Sequence, residues 1–346
     1  MTKNPHLLLL RFSALGDVAI TIPVIRCLYK TYPNLIITFV SRVEFIDLFE
    51  EFENFNFHPV YFKGKHNGII GLCNLFFELK GKRFSGVADL HGVIRTYFLS
   101  LLFKLFFYKV SKIRKGRKEK HLLTRGKNKK FQPLTPTFFR YADVFRNLGF
   151  PISMEGNNFP KKRRIPKKLL SLFNESSKKW IGIAPFASHP GKSYPLDLMQ
   201  KVIAYLQKEH KLFLFGSVGN ESNKLSIWES AYKDVINTSE KFSFREQLDL
   251  ISNLDLMISM DSANGHLAAN SGTKVLTLWG LTHPFCGFTP FNQPLDNSIT
   301  LDRIKYPLVP TSIYGKLIPK GYQTAFRSTH PKKVIEKALE LLWEKD

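Results

Sequence analysis

The chain predicts an α/β fold with parallel sheets in two halves, on three observations. Apolar runs alternate with helical patterns from end to end, as in sheets covered by helices. The length, 346 residues, is long for a single core. A polar stretch from Asn157 to Lys168, carrying Pro160 and Pro166, divides the runs into two sets. The first set is Leu7–Arg11, Leu35–Val40, Val60–Phe62, Gly86–Leu90 and Tyr108–Ile113. The second is Trp180–Pro185, Leu212–Gly216, Val235–Asn237, Leu254–Met260 and Lys274–Trp279. The expected units are therefore residues 1–156 and 169–346, joined by a linker over 157–168. Ser243-Phe-Arg-Glu246 is a capping box that opens a helix. Pro331 to Trp343 reads as a terminal helix of the second unit, with packing back on the first as the alternative.

Taken in order, several runs end in polar groups suited to a site. Leu7–Arg11 opens onto Ser13-Ala-Leu-Gly-Asp17-Val18 and a helical pattern through Ile20, Val24 and Leu28. Asp17 then sits at or beside a helix N-cap, at the C-terminal end of a strand, where open α/β sheets bind ligands. Capping alone would also account for it. The spacing is not G-x-G-x-x-G, so a dinucleotide fingerprint is not supported. Gly86–Leu90 leads to the cluster Asp89, His91 and Arg95, in which His91 could instead be a satisfied structural histidine. Trp180–Pro185 leads to a glycine-containing loop with Ser188 and Lys192, and Leu212–Gly216 to a glycine turn and Glu221. Phe242 lies just before the capping box, where an aromatic serves equally as core. Leu254–Met260 opens onto Asp261-Ser262-Ala263-Asn264-Gly265-His266-Leu-Ala-Ala269. Asp261 and Ser262 suit an N-cap and the alanines suit the helix after it. A strand opening onto a helix N-terminus can hold an anion, although a capped helix with His266 on its buried face fits the same residues.

Together these segments resemble glycosyltransferase family nine, the lipopolysaccharide heptosyltransferases. The resemblance rests on Ser13–Asp17 with Pro23; Asp89-Leu-His-Gly92 with Arg95; and Ala187-Ser-His-Pro-Gly-Lys192 with Pro195. It continues through Gly216–Glu221, Asp261–Ala269, and Leu278-Trp-Gly280 with Thr282 and Pro284, all in the family's order. His91 stands where the family often has Gln, and Ala263 where it often has Gly. The resemblance implies the GT-B architecture of two facing Rossmann-like domains, with the cleft between them as the ligand site. It also implies inverting transfer of a heptose from ADP-heptose to a lipid-linked, anionic lipopolysaccharide inner core. Asp17 would be the base on the acceptor half, and Asp89, His91 and Arg95 would meet the acceptor. Lys192 would be the cation for the diphosphate. Ser188 and the Ser262–Gly265 helix start would donate to phosphates, with Asp261 and His266 in the same loop. Glu221 would hold the ribose and Phe242 flank the adenine. No Asp-x-Asp motif stands out, so neither cofactor nor metal is expected: a lysine and a helix dipole can replace the ion's charge.

Composition bounds the remaining possibilities. Cys27, Cys73 and Cys286 are odd in number, widely spaced, and fit neither a metal site nor a disulfide framework, which favours a reducing compartment. The Leu7–Leu10 run is too short for a secretory segment, and no stretch approaches the ~20 apolar residues of a membrane span. The formal charge is +23, much of it in Lys104–Lys130 and in Lys161–Lys168. Apolar Tyr97–Tyr108 precedes the first basic run, a pairing that suits an anionic membrane surface. A buried helix followed by a solvated loop fits equally. The expectation is a monomeric enzyme, peripheral on the cytoplasmic face of the inner membrane, that takes no nucleic acid. The alternatives are a nucleotide-sugar epimerase of the same fold, or a basic nucleic-acid-binding protein motivated by charge alone.

Overall fold

The computed structural model describes residues 4–156, 159–170 and 178–344. Asn157 and Asn158, the start of the expected linker, lie outside the described residues. The chain forms two compact units, Met1–Gly116 with Thr135–Asn158, and Arg117–Leu134 with Phe159–Asp346.

The first unit runs β1 (His6–Leu10), α1 (Leu15–Ala19), α2 (Thr21–Thr31), β2 (Ile36–Arg42), β3 (Phe55–Val60), α3 (Gly68–Lys80), β4 (Gly86–Asp89), α4 (Ile94–Leu105) and β5 (Val110–Lys112). After α5 (Arg117–Thr124), which belongs to the other unit, α6 (Thr137–Leu148) completes it. The five strands are parallel in the order β3-β2-β1-β4-β5. Leu7 to Leu10 are wholly buried, as a central strand with covered faces must be. Leu8 and Leu10 pack with Leu75, Phe76 and Leu79 of α3 and with Leu99 and Phe103 of α4. β3 corrects the expectation of a strand at Val60–Phe62: it lies earlier and ends at Val60. Its Asn56, His58 and Pro59 break the apolar pattern, which an edge strand tolerates.

The second unit runs β6 (Trp180–Ala184), α7 (Leu196–Leu206), β7 (Lys211–Leu214), α8 (Asn220–Ala231), β8 (Val235–Asn237), α9 (Phe244–Ile251), β9 (Leu256–Met260), α10 (Ala263–Asn270), β10 (Lys274–Leu278), β11 (Ser298–Ile299) and α11 (Pro331–Trp343). Its six parallel strands follow the order β11-β10-β9-β6-β7-β8. The Ser243 capping box is present: Ser243 Oγ accepts from the Glu246 amide, and Glu246 Oε2 accepts from the Ser243 amide. Two-residue β11 was not anticipated, being too short to leave a pattern. α11 packs on α7, β9 and β10 of its own unit.

In each sheet the chain reverses its order of strand addition once. The reversal falls between β1 and β4 in the first sheet and between β6 and β9 in the second. Such switch points open a crevice beyond the strands' carboxyl ends, the place where open α/β sheets take ligands.

The basic stretch is not one solvated loop. Residues 117–134 pack into the second unit, where Leu123 and Leu134 are buried with Cys286 and Ile313. Lys129 Nζ donates to the carbonyls of Leu308 and Pro310, the latter at 2.8 Å. The Arg303 guanidinium lies 3.3 Å from the Phe131 ring centroid. Burial, with Arg303 nearby, lowers the Lys129 ammonium to about 8. Cys27, Cys73 and Cys286 are free thiols, Cys27 and Cys286 buried. Among the described residues, no helix is long and apolar enough to cross a membrane.

Candidate active site

The first switch point gathers Arg11, which follows β1, with Asp17 in the first turn of α1 and with Asp89 and His91 at the end of β4. Asp17 is not a cap. Ala14 occupies the N-cap position, no side chain caps the helix, and the Asp17 carboxylate pairs with Arg11 Nη2. Arg11 is itself 6% exposed, and its Nη1 donates to the Leu90 carbonyl at 2.9 Å. A buried guanidinium anchored to backbone thus fixes a carboxylate that keeps 30% of its side chain exposed. Sequence reasoning passed over Arg11. The available signal was a charged residue closing an otherwise apolar strand immediately before the Asp17 motif.

Asp89 shapes the loop between β4 and α4. Its Oδ1 accepts from the amides of His91 (2.9 Å) and Gly92 (2.8 Å), and Gly92 takes the left-handed backbone the turn needs. Burial raises the Asp89 carboxyl above its usual range, against those two amides. Among the described residues, Arg11 Nε, Asp89 Oδ2 and His91 Nδ1 are buried without a hydrogen-bond partner. Buried polar groups are rarely left so, and three at one switch point mark polar binding capacity. Arg95, exposed in the first turn of α4, stacks over Phe62 at 4.7 Å.

Burial pushes the His91 imidazole down to about 3, helped by the charges of Arg11, Lys115, Arg95 and Arg42. His91 is therefore a neutral ring among four cations, which suits an anionic ligand. Lys115 and Arg42 join the site here, although the sequence reading left Lys115 in the membrane-suited run and did not single out Arg42. The low value makes a stability prediction. An unfolded histidine titrates near 6.5. Between that value and about 3 the unfolded chain binds more protons, so the contribution is full above 6.5 and is lost as pH falls through the window. The slope from one such group is at most about 1.4 kcal/mol per pH unit. His91→Gln should lose less stability than wild type between pH near 7 and pH near 4.5, read from urea midpoints. Equal losses would show that His91 does not titrate in this way.

The second switch point gathers Lys192, from the loop after β6, with Asp261 at the end of β9. Both are buried, and Lys192 Nζ lies 2.8 Å from Asp261 Oδ2. That contact is an ion pair too bent for a hydrogen bond, since Asp261 Oδ2 has no hydrogen-bond partner and Nζ donates to the Asp261 carbonyl at 3.2 Å. Close backbone packing holds the loop. The Leu281 amide donates to the Gly191 carbonyl at 2.6 Å, and the Gly191 amide to the Gly315 carbonyl at 3.2 Å. A Cβ on Gly191 would meet the Gly315 oxygen at 2.5 Å, and one on Gly280 the Gly191 oxygen at 2.5 Å, so both must be glycine.

Ser262 is the N-cap of α10, and no side chain caps that helix. Its Oγ instead pairs with Ser259 Oγ at 3.1 Å. Ala263, Asn264 and Gly265 form the first turn, whose N–H groups have no partner within the helix. His266 is buried one position further on. Ser188 is exposed in the Lys192 loop. Glu221, in the first turn of α8, accepts from the Ser217 amide (2.7 Å) and hydroxyl (2.8 Å), and so shapes the turn after β7. Phe242 is 7% exposed beneath Lys168 Nζ, which sits 5.4 Å from its ring. The ring is largely buried, as the core alternative for it required.

One cluster among the described residues has metal-ligand composition: His58, His66 and Glu78 bring ligand atoms within 4.8 Å of one another. It is a bracket between β3 and α3. His66 Nδ1 accepts from the Tyr61 amide, so Nε2 carries the proton and points it at Glu78 Oε1, 3.2 Å away. Coordination through Nε2 would need the opposite tautomer.

Residues 73–312 match the sequence profile of glycosyltransferase family 9 (heptosyltransferase). The chain is 25% identical over 318 residues to the lipopolysaccharide core heptosyltransferase OpsX of Haemophilus influenzae, covering 87% of this chain and 86% of that one. It superposes on the family 9 glycosyltransferase of Veillonella parvula with a TM-score of 0.75 at 20% identity, covering 100% and 99% of the two chains. On E. coli ADP-heptose LPS heptosyltransferase II the TM-score is 0.68 at 17% identity, covering 97% and 98%. The fold is thus GT-B, built from two Rossmann-like units. The epimerase and nucleic-acid readings give way to the transferase that these motifs, in this order, already resembled. The chain belongs to glycosyltransferase family 9, the heptosyltransferase family, and is a glycosyltransferase.

Proposed function

We propose that the protein transfers a heptose from ADP-heptose to an anionic, lipid-linked lipopolysaccharide inner-core acceptor, with inversion. The observation that carries the acceptor class is the set of cations, Arg11, Arg42, Arg95 and Lys115, around a neutral His91 and the Asp17 carboxylate. An acceptor bearing carboxylates or phosphates would be bound by those cations and would bring its hydroxyl to Asp17. Asp17 takes the hydroxyl proton as the oxygen attacks the anomeric carbon. The bond from that carbon to the diphosphate breaks on the opposite face, which inverts the centre. Lys192 and the α10 amides receive the charge that grows on the departing ADP. These groups supply what a divalent ion would, so the mechanism needs no metal. The donor assignment is supported by the E. coli neighbour, which is an ADP-heptose enzyme by name, and the acceptor by the H. influenzae relative, named for the lipopolysaccharide core. Glu221 would reach the ribose by releasing Ser217. We further read the enzyme as a monomer acting at the cytoplasmic leaflet.

The test is transfer itself. Purified protein is incubated with ADP-heptose and a heptose-free lipid-linked inner core, and the acceptor is followed by mass spectrometry. A gain of one heptose is expected, with little or no gain from UDP- or GDP-linked sugars. Equal transfer from a UDP-sugar, or free sugar released without acceptor modification, would overturn the assignment.

A further inference from the structure

α3 and α4 are apolar on two opposite faces. One face of each is in the core, through Leu75 and Phe76 of α3 and Leu99 and Phe103 of α4. The other face is turned to solvent and is also apolar. Ile70 and Phe77 on α3 are 79% and 58% exposed, and Leu101 and Leu105 on α4 are 55% and 63% exposed. Phe106 and Phe107, just after α4, continue the surface, Phe107 at 97% exposure. A surface helix normally carries polar residues there. The two helices pack side by side, and Lys80 Nζ lies 4.8 Å from the rings of both Phe77 and Phe106, so their outer faces join. Apolar patches of this kind on a folded unit mark an interaction site.

We propose that the outer faces of α3 and α4 form one docking surface that inserts its apolar side chains into an anionic lipid leaflet. Charge chooses the occupant. Lys80 and exposed Lys104 lie among the apolar side chains. Glu78, the acidic residue within these two helices, is already engaged by Lys65, His58 and His66. Anionic headgroups pair with such cations while the apolar residues sink to the acyl boundary. A second copy of the same face would set Lys80 and Lys104 against their own kind. Position agrees with charge: the surface begins at the α4 N-terminus, where exposed Ile94 adjoins Arg95 of the acceptor site. A lipid-linked acceptor would keep its acyl chains in the leaflet while its sugar reaches Arg95. That last point rests on the acceptor reading above, whereas the apolar surface does not.

The test uses the full chain with phosphatidylglycerol-containing vesicles, with phosphatidylcholine vesicles, and with no donor present. Wild type should co-sediment with the anionic vesicles and keep part of that binding at high salt, because insertion is apolar and salt screens only the charges. Leu101→Gln/Leu105→Gln/Phe107→Asn should lower the partition at least tenfold, and Ile70→Gln/Phe77→Gln should act in the same direction. Lys80→Gln/Lys104→Gln should erase the preference for anionic vesicles. Turnover on a soluble, delipidated acceptor should be unchanged in the triple variant. If it is absent in wild type while vesicle binding follows the pattern above, the acceptor reading fails and the docking surface stands. Wild type that ignores both vesicles, or a triple variant that binds like wild type, would overturn the proposal. So would a concentration-dependent dimer, seen in sedimentation velocity, that the triple variant abolishes.

Discussion

Asp17→Asn should fold, bind ADP as wild type does, and transfer heptose about 10²–10⁴ more slowly. The loss is that of a general base. Asparagine keeps the size of the side chain and one oxygen that can accept from Arg11, so the pairing that orients residue 17 survives in part. It cannot take a proton from the acceptor hydroxyl. Donor affinity should hold because Asp17 belongs to the first unit and the proposed diphosphate groups to the second. Two measurements separate the cases: steady-state transfer at saturating donor, and calorimetry with ADP. Near-normal turnover would reduce Asp17 to a partner for the buried Arg11. A folding defect would be a different result, and Arg11→Met/Asp17→Leu would then show whether the pair is structural, since removing both charges avoids an unpaired one.

The legible parts of this molecule were those in which backbone and chemistry coincide in a short window. A central parallel strand is a run such as Leu7–Leu10, apolar on both faces, and a ligand site at its end shows as polar residues directly after it. Asp17, Asp89, Lys192 and Asp261 were singled out in that way as candidates, and the two switch points gather them. What hid was set by long-range packing. β3 alternates poorly because it is an edge, and Pro59 costs it little. Arg11 carries no motif of its own, and its role comes from Asp17 and from Leu90 across the sheet. Residues 117–134 read as a charged loop because lysines and arginines dominate the count. Yet Leu123, Lys129, Phe131 and Leu134 are held by Cys286, Leu308, Pro310 and Arg303, more than 150 residues away in sequence. Charge density in a window says nothing of which side chains have partners elsewhere. Phe242 shows why an aromatic beside a site is ambiguous in sequence: a ring that flanks a base and a ring that packs as core leave the same pattern, and only the fold shows that this one is largely buried beneath Lys168.

Lys192→Ala should weaken ADP binding by roughly 10- to 150-fold, the worth of one hydrogen bond to a charged group, ~1.5–3 kcal/mol. It should also slow transfer at saturating donor, because the charge that Lys192 meets grows on the departing diphosphate in the transition state. The structure adds a second effect. Lys192 and Asp261 are both buried and face each other, so the lone alanine leaves Asp261 as an unpaired buried carboxylate. Breaking such a pair costs about 3–5 kcal/mol of stability. Weak ADP binding by Lys192→Ala alone would then be ambiguous between a lost phosphate contact and a loosened loop. Lys192→Met/Asp261→Asn resolves it. Removing both charges should restore most of the urea midpoint but not the ADP affinity, since the α10 amides remain and the cation does not. The prediction is measured by urea midpoints and ADP calorimetry on wild type, single and double variants. ADP affinity unchanged in a folded Lys192→Ala, or regained in the double variant, would leave Lys192 as a partner for Asp261 only. A preference for UDP over ADP in wild type would remove the donor assignment while leaving the ion pair as described.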